Sequence, residues 1–269
     1  MKKSYQGIEQ KRNEGDIWFN DLKRKRSEGP TLNTNRYEGC KESTKSIHAG
    51  QYDDPATGAL GTPIFQCSTF YLNESSYEAI EEGRGRDEMI YTRYGNPSQW
   101  SVQEKLSALE NAESSIVFSS GMAAISTLMM ATVKAGDTVL TQSNLYGGTT
   151  AMIQQHLEEF GVKSIMINFE DLDLVESTLK AHPSIRLMYM ETPANPTMAC
   201  VDLQAVADLA KQYGCWTAVD NTFNTPYLQQ PFKFGLDFIV HSTTKFLNGH
   251  GNSISGVIVG KDPDLMKAK

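Results

Sequence analysis

From Trp100 onward, short apolar runs alternate with longer stretches of helical spacing, and this alternation limits the chain to a small set of folds. Strands are predicted at Ser115–Phe118, Thr138–Thr141, Lys163–Asn168, Ile185–Met190, Trp216–Asp220 and Phe238–His241. Helices are predicted at Gln103–Asn111, Ala123–Val133, Thr150–Phe160, Asp171–Lys180 and Leu203–Tyr213; Leu157 and Phe160 share one face of the third. Such a succession predicts the α/β class: a mostly parallel sheet covered by helices. The 269 residues suffice for one large α/β domain or two smaller ones, and 39% hydrophobic residues suit a globular core. In open α/β sheets, ligands collect beyond the carboxyl ends of the strands. The residues that follow strand ends are therefore the first candidates for chemistry.

Three segments meet that condition. Ser115-Ile116-Val117-Phe118-Ser119-Ser120-Gly121-Met122-Ala123 reads as strand, tight turn and helix start, and free N–H groups at a helix start bind phosphate. Trp216-Thr217-Ala218-Val219-Asp220 is an apolar strand ending in an acid, which alone could be a cap or a ligand. His241-Ser242-Thr243-Thr244-Lys245-Phe246-Leu247-Asn248-Gly249 places one lysine between hydroxyls and a turn, just after the run Phe238-Ile239-Val240. A lysine amine attacks an aldehyde when burial or charge lowers its pKa, and neighbouring hydroxyls can hold a phosphate. Together they suggest a pyridoxal phosphate (PLP) site. Lys245 would carry the cofactor as a Schiff base, with Asp220 keeping the pyridine nitrogen protonated.

Bulk properties exclude other classes. A net charge of -7 argues against a nucleic-acid footprint. The basic run Lys23-Arg24-Lys25-Arg26 reads as part of a solvated extension, and Glu9, Glu14 and Asp16 disfavour a transit peptide. Cys40, Cys67, Cys200 and Cys215 show no CxxC pairing, which favours reduced thiols over a disulfide framework. His241 and His250 lack metal-ligand spacing, so no metal is expected and structural hydrogen bonding is their expected role. No apolar run approaches a membrane span. These readings point to a cytoplasmic protein without nucleic-acid or membrane partners.

The chain resembles the Cys/Met-metabolism (trans-sulfuration) family of PLP enzymes. The blocks that carry the resemblance are Ser46-Ile47-His48-Ala49-Gly50, Tyr91-Thr92-Arg93-Tyr94-Gly95-Asn96-Pro97, Ser119-Ser120-Gly121-Met122-Ala123, Leu145-Tyr146-Gly147-Gly148-Thr149, Glu191-Thr192-Pro193-Ala194-Asn195-Pro196, Val219-Asp220-Asn221-Thr222 and the lysine segment. The resemblance implies the aspartate-aminotransferase-like (fold type I) architecture. It implies that Lys245 bonds the cofactor and shuttles protons, that Asp220 pairs with the pyridine nitrogen, and that Tyr146 stacks on the ring and serves near the leaving sulfur. It implies phosphate contacts from Gly121, Met122, Ser242 and Thr244, a place for Asn195 near the ring oxygen, and use of Tyr91 and Arg93 by a neighbouring subunit. A homodimer or homotetramer with shared sites follows from that last role.

Composition sets off a polar, charged extension at 1–43, and the resemblance divides the rest into an N-terminal arm and subunit-contact segment at 44–100 and a PLP-binding domain at 101–269, cut short at its C-terminal end. Family members continue into a C-terminal domain that supplies an arginine for the substrate's α-carboxylate. No position here matches that arginine, and the stretch Lys261 to Lys269 reads as the start of another element. The expected activity is a C–S lyase acting at the γ-carbon of sulfur amino acids, of the methionine γ-lyase kind. Thr150 and Ala151 stand where cystathionine-handling members commonly carry an arginine, which favours this reading. Against it, Gly148 stands where methionine γ-lyases commonly have a reactive cysteine, and Gly249-His250-Gly251-Asn252-Ser253-Ile254 leans toward the O-acetylhomoserine sulfhydrylases. Cystathionine γ-synthase or γ-lyase activity also stays open, as does a truncated fragment that binds cofactor without turnover.

Overall fold

The structure is a computed structural model that describes residues 37–52, 59–72, 74–85, 88–262 and 266. The basic run at 23–26 lies outside the described residues. Among the described residues two compact units are present, one within Tyr52–Ser101, the other formed by 37–51 with the residues from Val102 onward. In chain order the elements are α1 (Glu42–His48), α2 (Glu74–Glu81), α3 (Pro97–Glu110), β1 (Ser114–Phe118), α4 (Gly121–Thr132), β2 (Thr138–Gln142), α5 (Gly147–Ala151), β3 (Lys163–Ile167), α6 (Leu172–Ala181), β4 (Ile185–Glu191), α7 (Leu203–Tyr213), β5 (Trp216–Asp220), α8 (Thr225–Leu228), β6 (Phe238–His241) and β7 (Gly256–Gly260).

The larger unit is built on a seven-stranded sheet in the order β1-β7-β6-β5-β4-β2-β3. Pairs among β2 to β6 are parallel, while β7 runs antiparallel to both β1 and β6. Strand side chains alternate between two cores, as the two-residue period of a pleated strand requires. On β4, Leu187 and Tyr189 enter one core and Met188 and Met190 the other; on β6, Phe238 and Val240 oppose Ile239. Helix α4 covers one face through Ala124, Ile125, Leu128 and Met129, and α6 and α7 cover the other through Val175, Leu179, Val206 and Ala210. A sheet buried on both faces explains why its strands read as continuous apolar runs.

The expected strands agree with the observed ones to within a residue or so at each end. Three differences have local causes. The first expected helix starts six residues earlier than Gln103, at Pro97, because proline suits the first helical position and the Asn96 side chain caps the turn, its Oδ1 accepting Ser98 N–H at 2.9 Å. The third begins at Gly147 and widens into a π-helical turn at Met152–Leu157, which residue spacing does not announce. Strand β7 lies outside the expected set, since two glycines bound its three-residue apolar run.

The smaller unit holds the Tyr91–Pro97 block. Tyr91 bridges Thr69 in antiparallel pairing. Asn96, buried, donates to Phe65 O at 3.0 Å and to Thr92 Oγ1 at 3.1 Å, and Gly95 lies so close to the Trp100 ring that a Cβ there would sit 2.5 Å from it.

Candidate active site

Within the larger unit, the ends of five strands converge on one edge of the sheet: Phe118 of β1, Gln142 of β2, Glu191 of β4, Asp220 of β5 and His241 of β6. Gly256, which opens the antiparallel strand β7, lies at the same edge, opposite Phe118.

The turn after β1 starts α4. Ser120 caps that helix, its hydroxyl accepting Ala123 N–H at 3.0 Å. The amides of Gly121 and Met122, ahead of the first intrahelical bond, have no acceptor among the described residues. Two glycines bring other segments against this turn. A Cβ on Gly121 would lie 2.7 Å from Ser242 Cβ, and one on Gly256 would lie 2.2 Å from Ser120 O. The first contact sets Ser242 beside the helix start; the second seats the beginning of β7 on the same turn.

Asp220, at the end of β5, is buried. Its Oδ1 accepts both the N–H of Thr222 at 3.0 Å and the Thr222 hydroxyl, while Oδ2 has no hydrogen-bond donor among the described residues. Burial raises the carboxyl above its ordinary pKa, against the two Thr222 bonds and the charge of His241, which pull it down. The Thr222 oxygen in turn accepts Ser242 N–H at 2.8 Å, so one hydroxyl joins the acid to the lysine segment.

Lys245 is exposed on the turn that follows, its N–H bonded to Ser242 O at 3.1 Å. Thr244 fastens the turn to its return: its hydroxyl donates to Ser255 O at 3.1 Å and accepts Ser255 N–H at 3.0 Å. Its single proton is therefore committed, and donating to a phosphate would require giving up Ser255. No partner holds the Ser242 hydroxyl among the described residues.

Tyr146 precedes α5, and its half-exposed ring lies over Gly148. A Cβ at Gly148 would come within 2.7 Å of that ring and 3.1 Å of Met122 Sδ, so Tyr146 stands beside the helix start as well. Asn195 is half-buried. One carboxylate holds both segments: Glu191 Oε2 accepts Tyr146 N–H at 2.7 Å and Oε1 accepts Asn195 N–H at 2.9 Å. Burial first, and then the charge of Asp220, push Glu191 up to about 7, with both amide bonds opposing the shift.

Beneath these residues lies a buried polar cluster. His241 Nε2 is 2.5 Å from Glu110 Oε1, and Asn221 Nδ2 donates to the same oxygen at 3.2 Å and to Gln229 O at 3.0 Å. His241 thus has the structural bond expected of it, whereas His250 is exposed. Tyr91 and Arg93 belong to the smaller unit. There the Arg93 guanidinium, exposed, lies 5.2 Å from the ring centres of both Tyr91 and Tyr94.

Sequence reasoning alone gives no site role to Thr222, Glu191, Ser255 or Glu110. The first two stand inside blocks that carry the resemblance, and each is an acid or hydroxyl at the end of an apolar strand. Glu110 leaves no trace, because its partner His241 is 131 residues away.

An α/β sheet whose strand ends gather a helix start with open amides, a buried acid with one open oxygen and an exposed lysine carries the groups that a phosphate-bearing aromatic aldehyde would need. Comparison with known proteins puts the chain in a class of enzymes that use one. The profile of the Cys/Met metabolism PLP-dependent enzymes matches residues 43–269, and the chain belongs to that family. It is 41% identical over 228 residues to the L-methionine gamma-lyase of Porphyromonas gingivalis, covering 84% of this chain and 56% of that protein. It is also 41% identical over 224 residues to the cystathionine beta-lyase MetC of Bacillus subtilis, covering 83% and 55%. A Campylobacter jejuni structure containing N'-pyridoxyl-lysine-5'-monophosphate superposes with a TM-score of 0.78 at 28% identity, over 85% of this chain and 55% of that one. The fold is that of the fold type I PLP enzymes. The chain spans a little over half the length of the curated relatives it matches.

Proposed function

We propose that this chain forms the cofactor-binding part of a PLP-dependent carbon–sulfur lyase that acts at the γ-carbon of a sulfur amino acid, with methionine as the preferred class of substrate. The observation that carries the reading is the meeting of the Gly121–Met122 amides, the Asp220 carboxylate and the Lys245 turn at one sheet edge. When bound, PLP supplies an electron sink that lets carbon–hydrogen and carbon–sulfur bonds break heterolytically. The amides of Gly121 and Met122 and the hydroxyl of Ser242 would hold its phosphate, and Asp220 Oδ2 would accept from its pyridinium. Burial suits Asp220 to that task, since an unpaired carboxylate there favours a cationic partner.

The chain's own residues then move protons. The Lys245 amine, on a turn secured through Thr222 and Ser255, takes and returns protons at substrate carbons. The Tyr146 hydroxyl is the candidate donor to the departing sulfur. Thr150 and Ala151 put no cation beside Tyr146 for a second carboxylate, which favours methionine over cystathionine. A sulfhydrylase reading draws on Gly148, which supplies no thiol beneath the Tyr146 ring. The proposed setting is the cytoplasm and the proposed assembly a homodimer or homotetramer, with Tyr91 and Arg93 serving a neighbouring copy; among the described residues no helix is long and apolar enough to cross a membrane.

Reduction by borohydride tests the core of this reading. The protein mixed with PLP should acquire a reduced pyridoxyl group on Lys245 alone, located by peptide mass, and Lys245→Ala should acquire none. A label elsewhere, or a labelled Lys245→Ala, refutes it. Comparing kcat/KM for methionine, cystathionine and O-acetylhomoserine with sulfide then separates the reactions: a tenfold preference, about 1.4 kcal/mol, for either of the last two replaces the methionine reading.

A further inference from the structure

We infer that Glu191 is a positioning residue of this site, whose single carboxylate sets Tyr146 and Asn195 together and whose ionisation tightens or relaxes both at once. The inference rests on the proposed PLP site for the roles of those two residues, but not for the linkage itself.

The linkage is geometric. Tyr146 and Asn195 sit in different connections of the sheet, one after β2 and one after β4. Their backbone amides converge on the two oxygens of Glu191, at 2.7 Å and 2.9 Å. Glu191 is itself fixed by Gln142, whose amide donates to Glu191 O at 2.7 Å and to Asn144 O at 2.6 Å and whose oxygen accepts Glu191 N–H at 3.2 Å. The frame is therefore rigid, and the carboxylate is its variable part. Two acceptor oxygens are needed; a glutamine offers only one, and its NH₂ would face an N–H. A protonated carboxyl keeps one good acceptor and weakens the other, because its hydroxyl oxygen is a poorer one.

The charge of Glu191 is sensitive to its surroundings. Asp220 faces it from β5 as its register partner, and on its own strand Tyr189, fully buried, has its phenol pushed up by burial first and then by the charges of both acids. The Tyr146 and Asn195 amides approach from the other sides. With its pKa pushed up to about 7, Glu191 changes charge near neutrality. Repulsion from Asp220 favours the neutral, relaxed state; the two amides favour the charged, gripping one.

Amide NMR of the full chain, labelled with 15N-tyrosine and 15N-asparagine, tests this without cofactor. The Tyr146 resonance is identified by its loss in Tyr146→Phe, and that of Asn195 by its loss in Asn195→Asp. Both amides should shift with pH at one common midpoint near 7 in the wild-type chain. Asp220→Asn should lower that midpoint, and Glu191→Gln should remove it. Two unrelated midpoints, no titration, or a titration that survives in Glu191→Gln overturns the inference. Because the wild-type titration decides by itself, a poorly folded variant leaves the test intact. Circular dichroism of the PLP-loaded protein at the cofactor's visible band should titrate too, at a midpoint below that of the free chain, because a pyridinium at Asp220 would offset the charge that raises Glu191. If PLP fails to bind while the amide titration stands, the proposed function falls and the Glu191 linkage remains.

Discussion

Glu191 and Asp220 are register partners across β4 and β5, two acids side by side at the last residue of each strand. A fold gains nothing in stability from that arrangement. Burial raises both carboxyls, and Asp220's charge adds to the rise at Glu191.

The pH dependence of stability should show it. Glu191 binds its proton more tightly in the folded chain, up to about 7 from an ordinary 4.5, so its contribution is fully present below 4.5 and is lost as pH rises through 7. Asp220 acts with the same sign from a lower starting point. Thermal midpoints of wild type and Glu191→Gln should therefore diverge with rising pH, the wild type losing more between about pH 4.5 and 7.5. Parallel curves would remove the electrostatic conflict from the account.

The large outline of the fold is legible because its strands are buried on both faces. Ile185–Glu191 and Phe238–His241 read as apolar runs for that reason, and the helices between them show their buried stripe. Lys245, Asp220 and Gly121 are legible as site candidates because each follows a strand end. What stays hidden depends on contacts remote in sequence. The Glu110–His241 pair joins the end of a helix to the end of a strand 131 positions later, and no local spacing encodes it. Glu191 is visible as part of a block, yet its two amide bonds exist only once β2 and β4 are paired. Gly256 looks like one more turn glycine until its backbone contact with Ser120 is seen.

That contact makes a second prediction. A Cβ on Gly256 would stand 2.2 Å from Ser120 O and 2.8 Å from Gly121 Cα, both backbone atoms that cannot swing aside. Gly256→Ala should lower the unfolding free energy by about 2 kcal/mol or more, toward the upper range for overpacking. Because the displaced turn carries the Gly121 and Met122 amides, PLP affinity should fall with it. Chemical denaturation and absorbance titration with PLP measure the two effects; a variant as stable as wild type contradicts the packing.

Asp220→Asn separates chemistry from retention. The neutral amide keeps a hydrogen-bonding oxygen for Thr222 but cannot balance a pyridinium, whereas the Gly121–Met122 helix start is untouched. Turnover should fall by ~10²-fold or more, the scale of one preorganised electrostatic contact. PLP binding should weaken far less. An unchanged kcat would remove Asp220 from its proposed role.

Arg93 allows the assembly to be tested. Its guanidinium is exposed in the smaller unit, beside the rings of Tyr91 and Tyr94, and so can meet an anion from another copy. If one protomer's Arg93 completes its partner's site, Arg93→Ala and Lys245→Ala chains are each inactive alone, yet a mixed dimer holds one site with both native residues. Random pairing makes half the dimers mixed, each with one of two sites restored, so activity of the unsorted mixture should return to roughly a quarter of wild type. The measurement is turnover after the two variants are co-expressed under separate tags, before and after the doubly tagged species is isolated. Verified mixed dimers with no activity would place Tyr91 and Arg93 outside any shared site.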